Sequence, residues 1–180
     1  KYDGSTWTEV NDLNTARRTI GGSGTQTSTL AYGGNTNPSS VTPSALSELW
    51  NGTNWTEVND LNTARFGLAG AGADNTSALA FGGGNPSVTA VTELWNGTNW
   101  TEVNDLNTAR DYPGGSGIAT AALAFGGEVT NATAVTESWN GSNWTELNDL
   151  NTARGGISGA GTQTAAISFG GEGGSPALPK

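Results

Sequence analysis

The sequence predicts an all-β fold made of four copies of one unit, and three observations predict it. First, the phrase WNGTNWTEVNDLNTAR recurs with few changes along the 180 residues. Second, segments such as SALAFGG alternate large apolar and small side chains, which is the two-residue period of a strand. Third, Gly contributes 28 residues, many of them in Asn-Gly or Gly-Gly pairs that mark turns.

Two residues define the repeat, because they recur along the chain with the same set of spacings. A tryptophan precedes Thr-Glu in every copy, and an arginine closes the phrase shortly after it. Both series show spacings of 48, 45 and 44 residues. The members are Trp7, Trp55, Trp100 and Trp144, and Arg17, Arg65, Arg110 and Arg154. A period of this length is typical of solenoids, propellers and other repeat architectures.

Four short strands are predicted in each unit. They are a Gly-rich stretch (RFGLAGAGA), the segment SALAFGG, a segment after a variable loop (VTELW), and the Trp-Thr-Glu segment. In SALAFGG, Leu79 and Phe81 point to one face and the two alanines to the other. The pair Gly82-Gly83 ends this strand, where a positive φ or a close backbone approach favours glycine.

The repeated phrase itself predicts a hairpin followed by a fixed loop. In WNGTNW, Asn-Gly supplies the left-handed turn geometry and a tryptophan stands on each flank. In NDLNT, Asn, Asp and Thr side chains can bond their own backbone, which favours a loop over a helix. We therefore predict that this repeated segment has a structural role and is not itself a binding site.

A unit of four antiparallel strands must stack on its neighbours to bury both faces, and radial stacking gives a β-propeller. We predict one domain over residues 1–180, with four blades of four strands. Joining the chain ends gives 43 residues from Trp144 round to Trp7, so the N-terminal strand can complete the C-terminal blade. The Gly-rich first strands favour four blades, which crowd these strands at the axis. Four repeats within a larger ring remain the alternative.

The pattern of residues resembles the kelch family of propeller repeats. The carriers are Gly-Gly after the second strand, an aromatic residue late in the third, a tryptophan opening the fourth and an arginine before the next unit. The resemblance covers essentially the whole chain and implies blades of four antiparallel strands. Trp-Asn stands where many kelch repeats carry Tyr-Asp, although the first copy has Tyr2-Asp3. The near-identical sequence of the repeats also resembles repeat arrays in structural and tail-associated proteins of marine bacteriophages.

Composition argues against catalysis. The chain contains no histidine and no cysteine, which removes the commonest general base, thiol chemistry and zinc-thiolate sites. The copper chemistry known on kelch-type blades needs imidazole and thioether-linked ligands that have no counterparts here. We therefore expect no enzyme activity, no cofactor and no metal site.

Charge and hydropathy limit the partners. Asp and Glu total 16 against 7 Lys and Arg, so clustered cations for a phosphate backbone are lacking. No apolar run approaches the roughly 20 residues that span a bilayer. We expect no nucleic-acid partner and no membrane insertion.

The repeated polar and aromatic residues each have a structural and a functional interpretation. A ring of carboxylates could hold a cation, but the same carboxylates could fix a turn by local hydrogen bonds, which we favour. Its members are Asp12, Asp60, Asp105 and Asp149. Tryptophans could stack on sugars, but burial between sheets is favoured. The repeat arginines are expected to pair with Glu48, Glu93 and Glu137 between blades.

Differences between the copies indicate where binding could lie. The loops between the second and third strands vary (NTNPSSVTPSAL, GNPSVTAV, EVTNATAV and EGGSPAL), as do positions just after each arginine. Antiparallel connectivity puts both kinds of variation on one face. The candidate binding residues are Arg18, Phe66, Asp111 and Tyr112.

These observations predict a non-catalytic binding or display module. The expected partner is a surface glycan or protein, and the expected location is a phage virion or an extracellular appendage. The alternative is a symmetric structural spacer that associates with itself or belongs to a larger parent polypeptide.

Overall fold

A computed structural model describes residues 1–173, which form fourteen β-strands and no helix. The first sheet contains β1 (Gly21–Thr25), β2 (Ser28–Tyr32), β3 (Ser47–Trp50) and β4 (Trp55–Val58). The second contains β5 (Ala69–Asp74), β6 (Ser77–Phe81), β7 (Thr92–Trp95) and β8 (Trp100–Val103). The third contains β9 (Gly114–Ile118), β10 (Ala121–Phe125), β11 (Thr136–Trp139) and β12 (Trp144–Glu146). The fourth contains β13 (Arg154–Gly161) and β14 (Ala166–Gly173). The protein is therefore an all-β repeat fold.

Strands pair in chain order within each sheet, always antiparallel. The first three sheets have four strands each, as the sequence predicts, whereas the described part of the fourth has two. The N-terminal strand was expected to complete this last sheet. Within residues 1–173, Tyr2 instead bridges Trp7 in an N-terminal hairpin (residues 1–8), and no ladder joins this hairpin to β14. Most of the fourth variable loop and Lys180 lie outside the described residues.

The second strand of each complete sheet is buried on both faces. In β6, Leu79 and Phe81 have no exposed surface, and neither do Ala78 and Ala80 on the other face. One face of the strand packs toward the preceding sheet and the other toward the following sheet. The alternation of large and small residues along the strand therefore reflects the space on each face, since both faces are buried. This explains why short strands with so few large side chains still form a core.

Successive sheets pack through their first strands, β1 on β5, β5 on β9 and β9 on β13. Between the first and second sheets lies a cluster that includes Leu30, Tyr32, Leu68 and Trp100. The Tyr32 and Trp100 rings meet edge to face with centroids 5.0 Å apart, a favourable geometry for aromatic pairs. The third sheet repeats this packing on the second, with Trp144 against Phe81.

The predicted hairpins form and their turns are fixed by asparagine. The Asn51 side-chain oxygen accepts hydrogen bonds from the backbone N–H groups of Thr53 and Asn54, both at 2.9 Å. Gly52 adopts φ 95°, a conformation that suits glycine. In the N-terminal hairpin, Asp3 replaces asparagine and accepts the equivalent bonds from Ser5 and Thr6.

Candidate functional site

Four equivalent residues, each two positions after a repeat arginine, have left-handed backbone conformations. They are Thr19 (φ 51°), Gly67 (φ 60°), Tyr112 (φ 49°) and Gly156 (φ 63°). Backbone hydrogen bonds join these four residues into a row. The N–H groups of Gly67, Tyr112 and Gly156 donate to the carbonyls of Thr19, Gly67 and Tyr112, at 2.9, 2.6 and 3.1 Å respectively. Thr19 and Tyr112 are the non-glycine residues with positive φ among the described residues. Such strain persists only where the surrounding structure imposes it.

The row lines one cavity of about 200 Å³. Each of the four repeats contributes two consecutive residues to the lining, the row residue and its successor. The successors are Ile20, Leu68, Pro113 and Ile157. The cavity therefore has an apolar wall contributed by all four repeats, with the row of backbone hydrogen bonds along it.

The candidate binding residues lie beside this cavity, joined to the variable loops. Arg18 pairs with Asn35, and Asp111 pairs with Glu128. Phe66 pairs in the same way with Gly84. Each partner stands at or next to the start of a variable loop. The two kinds of variation seen in the sequence thus meet on one surface, because a backbone bridge holds them together in each repeat.

Phe66 and Tyr112 bring aromatic surface to this region from neighbouring repeats. Their ring centroids lie 6.1 Å apart with a tilt of 59°. Phe66 is buried and Tyr112 is half-buried, so the tyrosine ring presents the accessible part of the pair. A Cβ on Gly67 would lie only 2.9 Å from the Tyr112 ring, which shows how closely this backbone approaches it.

Charges surround the tyrosine ring. Burial, with a contribution from Glu128, raises the pKa of Asp111 above its ordinary value. Burial and the carboxylates of Asp111 and Glu128 also raise the pKa of Tyr112, while Arg18 opposes this shift. Both shifts favour the protonated forms. An aromatic ring, two carboxyl groups and a cation together can stack on and hydrogen-bond a polar ligand.

Arg18 also lines a second cavity of about 250 Å³, together with Asn35, Thr36 and Pro38 of the first variable loop. Arg18 is exposed, and its neighbour Arg17 points into the sheet instead. The two adjacent arginines therefore have separate roles. Arg18 faces solvent beside the variable loop, and Arg17 stabilises the scaffold.

The repeat arginines occupy equivalent positions in the scaffold. Arg17 lies 2.8 Å from Glu48, Arg65 lies 2.9 Å from Glu93, and Arg110 lies 3.0 Å from Glu137. The expected pairs between the loop arginines and the third-strand glutamates are thus present. Arg154 differs, since its described bonds go to the carbonyls of Gly170 and Gly171.

The Trp-Thr-Glu tryptophans do not share one environment. Trp100 and Trp144 are buried, Trp55 is half-buried, and Trp7 is 81% exposed. In the described part of the chain, only Trp100 and Trp144 show the predicted packing between sheets, because a complete sheet precedes each of them. Trp7 belongs to the N-terminal hairpin, where such a sheet is lacking among the described residues.

Two of the repeated aspartates bind backbone. Asp60 and Asp105 accept hydrogen bonds from the N–H groups of Ser47 and Thr92, at 3.1 and 3.0 Å. Within residues 1–173, no group of three or more acidic side chains is placed to hold a metal ion. These bonds reach the start of the third strand, 13 residues earlier, and so tie the loop to its own sheet, whereas the sequence predicted local bonds within the turn.

Sequence reasoning did not select Thr19, Gly67, Gly156 or Glu128. Aligning the copies on the arginine puts Thr, Gly, Tyr and Gly in one column, and two glycines in that column were a signal of left-handed backbone. Glu128 carried no such signal, because its role depends on the bridge to Asp111.

No protein-family model matches the chain, and no curated protein is similar enough to serve as a relative. Within the described residues, no helix is long and apolar enough to cross a membrane.

Proposed function

We propose that the repeated sheets are blades of a kelch-like β-propeller and that the protein is a non-catalytic binding or display module. Successive packing of first strands and the cavity lined equivalently by four repeats support the radial arrangement. The repeat phrase supplies the scaffold, through buried tryptophans and buried arginine–glutamate pairs.

One observation carries the binding proposal: the residues that differ between repeats meet on one surface. Backbone bridges join Arg18, Phe66 and Asp111 to the variable loops, and Tyr112 follows directly at the cavity. A symmetric scaffold gains an asymmetric surface where its copies differ, and loops on a rigid scaffold commonly carry recognition.

The chemistry of this surface fits a surface glycan. The Tyr112 ring offers a face for stacking, Asp111 and Glu128 offer acceptors for sugar hydroxyls, and Arg18 offers a cation. A protein loop with an exposed amide and an aromatic residue would use the same groups. Display on a virion or an extracellular appendage would place this surface against such partners.

The experiment is a glycan-array screen of the fluorescently labelled chain, followed by calorimetric titration of any ligand found. Tyr112→Ala and Asp111→Ala are expected to lower affinity at least tenfold, whereas Glu102→Ala on the exposed face of β8 is the matched control and should leave it unchanged. Binding that survives both site variants would place recognition elsewhere. The binding proposal would be overturned if the array shows no bound glycan and the immobilised chain retains no cell-surface protein.

A second function, a symmetric spacer that assembles with itself, is favoured by a separate observation. Phe169 is 53% exposed, whereas the equivalent Phe81 is buried. Trp7 is 81% exposed, whereas the equivalent Trp100 and Trp144 are buried. These two residues lie at opposite ends of the sheet series, and each end presents apolar surface.

A further inference from the structure

One contact is found between the first and second sheets and again between the second and third. The aromatic residue that ends a second strand lies over a glycine of the following first strand and against a tryptophan of the following fourth strand. Tyr32 lies over Gly70 and meets Trp100, with centroids 5.0 Å apart. Phe81 lies over Gly115 and meets Trp144 at the same distance. The glycine is required, because a Cβ there would collide with the ring.

Both halves of this contact are present and unmatched at the ends of the series. Phe169 is the aromatic residue of β14 and is 53% exposed. Gly22 is the equivalent glycine of β1, and an added Cβ would meet nothing closer than the Leu30 carbonyl at 3.6 Å. Trp55 of β4 is the equivalent tryptophan and is half-buried. The first sheet thus offers a receptor site, and the fourth sheet offers the aromatic side chain that fits it.

The N-terminal hairpin already lies where the outer half of a preceding sheet would lie. Gln26 donates a hydrogen bond to the Tyr2 carbonyl. The same bond joins Asn75 to the Trp50 carbonyl at 3.0 Å, between the second and first sheets. Gln163 of the fourth sheet likewise donates to the Trp139 carbonyl of the third.

The loop after the hairpin is also held on the first sheet in the repeated manner. Asn11 donates to the Thr53 carbonyl and to the Asn54 side chain, at 3.0 and 2.7 Å. Asn59 makes the equivalent bonds to Thr98 and Asn99 in the second sheet. Residues 1–17 are therefore docked as half a sheet, without the two inner strands to which that half would belong.

Those two strands are β13 and β14 at the other end of the chain. β13 packs on β9, but among the described residues no comparable packing joins β13 to β1. The row of backbone bonds is open at the same place, because Thr19 donates no hydrogen bond to the Gly156 carbonyl within residues 1–173. One chain thus holds two half-sheets apart.

We propose that a second copy of the chain joins these halves, so that the N-terminal hairpin of each copy pairs with β14 of the other. Phe169 then lies over Gly22 of the second copy and against its Trp55, and Trp7 of the second copy covers Phe125. A two-fold axis makes both junctions identical and completes both half-sheets. The ring contains eight sheets. The inference rests on the propeller arrangement proposed above and not on ligand binding.

The repeat register specifies the junction residue by residue. In the complete sheets, Trp50 pairs with Thr29, Trp95 with Ala78 and Trp139 with Ala122. Tyr2 is the equivalent of these tryptophans, and Ala166 is the equivalent of their partners. Tyr2 is therefore expected opposite Ala166, and Lys1 opposite Ile167.

The mass of the intact chain in solution is the first test. Sedimentation equilibrium is expected to give twice the 18.2 kDa of one chain across the concentration range. A mass of one chain would overturn the proposal and favour closure of four blades by the chain's own hairpin. A mass that grows steadily with concentration would also overturn it, because open head-to-tail association leaves no closed ring.

Gly22→Ala tests the receptor site without disturbing the chain's own contacts. It is expected to convert the dimer to a monomer with unchanged circular dichroism, since the added Cβ blocks Phe169 of the second copy. Thr25→Ala, on the same strand and exposed, is the matched control and should remain a dimer. A Gly22→Ala variant that stays a dimer would contradict the predicted contact.

A cysteine pair distinguishes the second copy from the chain's own hairpin, and the native sequence has no cysteine to interfere. Opposite residues of an antiparallel pair are about 4.5 to 5.5 Å apart at Cα, which allows a disulfide. Lys1→Cys combined with Ile167→Cys is expected to give a covalent dimer on a non-reducing gel. Lys1→Cys with Thr164→Cys is the control. A covalently closed monomer, or no disulfide in a well-folded variant, would refute the junction.

Discussion

The Arg65 guanidinium and the Glu93 carboxylate lie 2.9 Å apart, and neither side chain has exposed surface. Arg65 also donates to the carbonyls of Gly82 and Val91, at 2.8 and 2.7 Å. Glu93 accepts from the N–H of Asn62 at 2.7 Å. The pair therefore ties the loop that leaves one sheet to the second and third strands of the next.

Removing Arg65 should be costly because it leaves a buried carboxylate. Burial lowers the pKa of Arg65, and the Glu93 charge opposes that shift, so each ion stabilises the other. We expect Arg65→Leu to lower the free energy of unfolding by about 3 to 5 kcal/mol, measured by urea denaturation. Arg154→Leu is the matched control, since the described bonds of Arg154 go to carbonyls, and should cost less. Equal losses would contradict the assigned role of the ion pair.

Gly115 is predicted to tolerate no side chain. An added Cβ would lie 2.7 Å from the Gly70 carbonyl oxygen and 2.9 Å from the Phe81 ring. Gly115→Ala should therefore destabilise the protein by about 1 to 3 kcal/mol, through overpacking between two sheets. Gly173→Ala serves as control, because its Cβ would meet only the Ala153 carbonyl oxygen at 3.7 Å. Thermal unfolding of both variants measures the difference, and a neutral Gly115→Ala would refute the close packing.

Substitutions at two equivalent positions of the left-handed row, Thr19 and Gly67, should change the free energy of unfolding differently. Thr19 has φ 51°, which costs a residue with a side chain roughly 1 to 2 kcal/mol, so Thr19→Gly should be neutral or stabilising. Gly67→Ala introduces that strain and brings Cβ to 2.9 Å from the Tyr112 ring. We expect it to lower stability by about 1 to 3 kcal/mol. Chemical denaturation of the two variants under one condition provides the comparison, and losses of the same sign would contradict the row's geometry.

The pH dependence of stability should report Asp111. Its pKa is raised in the folded state, chiefly by burial, so the contribution of its protonated form is fully present below the ordinary pKa of 3.8. That contribution is lost as the pH rises through the raised value. Asp111→Asn, which cannot ionise, should therefore raise the free energy of unfolding at pH 7 and change it little at pH 3. Urea titrations at both values test this, and a gain independent of pH would contradict it.

Much of the scaffold could be predicted from the sequence because its causes are local. The alternation around Leu79 and Phe81 predicts a strand, and Asn-Gly predicts the hairpin turn, whatever the rest of the chain does. The pairing of Arg65 with Glu93 could be inferred because an arginine and a glutamate recur at equivalent places in the repeats. The convergence of Arg18, Phe66 and Asp111 followed from strand connectivity alone.

The remaining features depend on contacts that local patterns do not specify. Trp7 is followed by the same segment, TEVNDLNTAR, as Trp100, but its exposure depends on which sheet precedes it. The left-handed backbone of Tyr112 accompanies a contact between repeats, the bond from its N–H to the Gly67 carbonyl. The pairing of the chain ends depends on three-dimensional placement, which repeat arithmetic restricts but does not determine.

The central claim is that the repeated sheets are arranged as blades around an axis. Small-angle X-ray scattering of the purified protein tests it directly. We expect a compact disc, with a single-peaked distance distribution whose maximum dimension does not grow with concentration. An elongated particle, with the long tail of a linear stack of sheets, would contradict it.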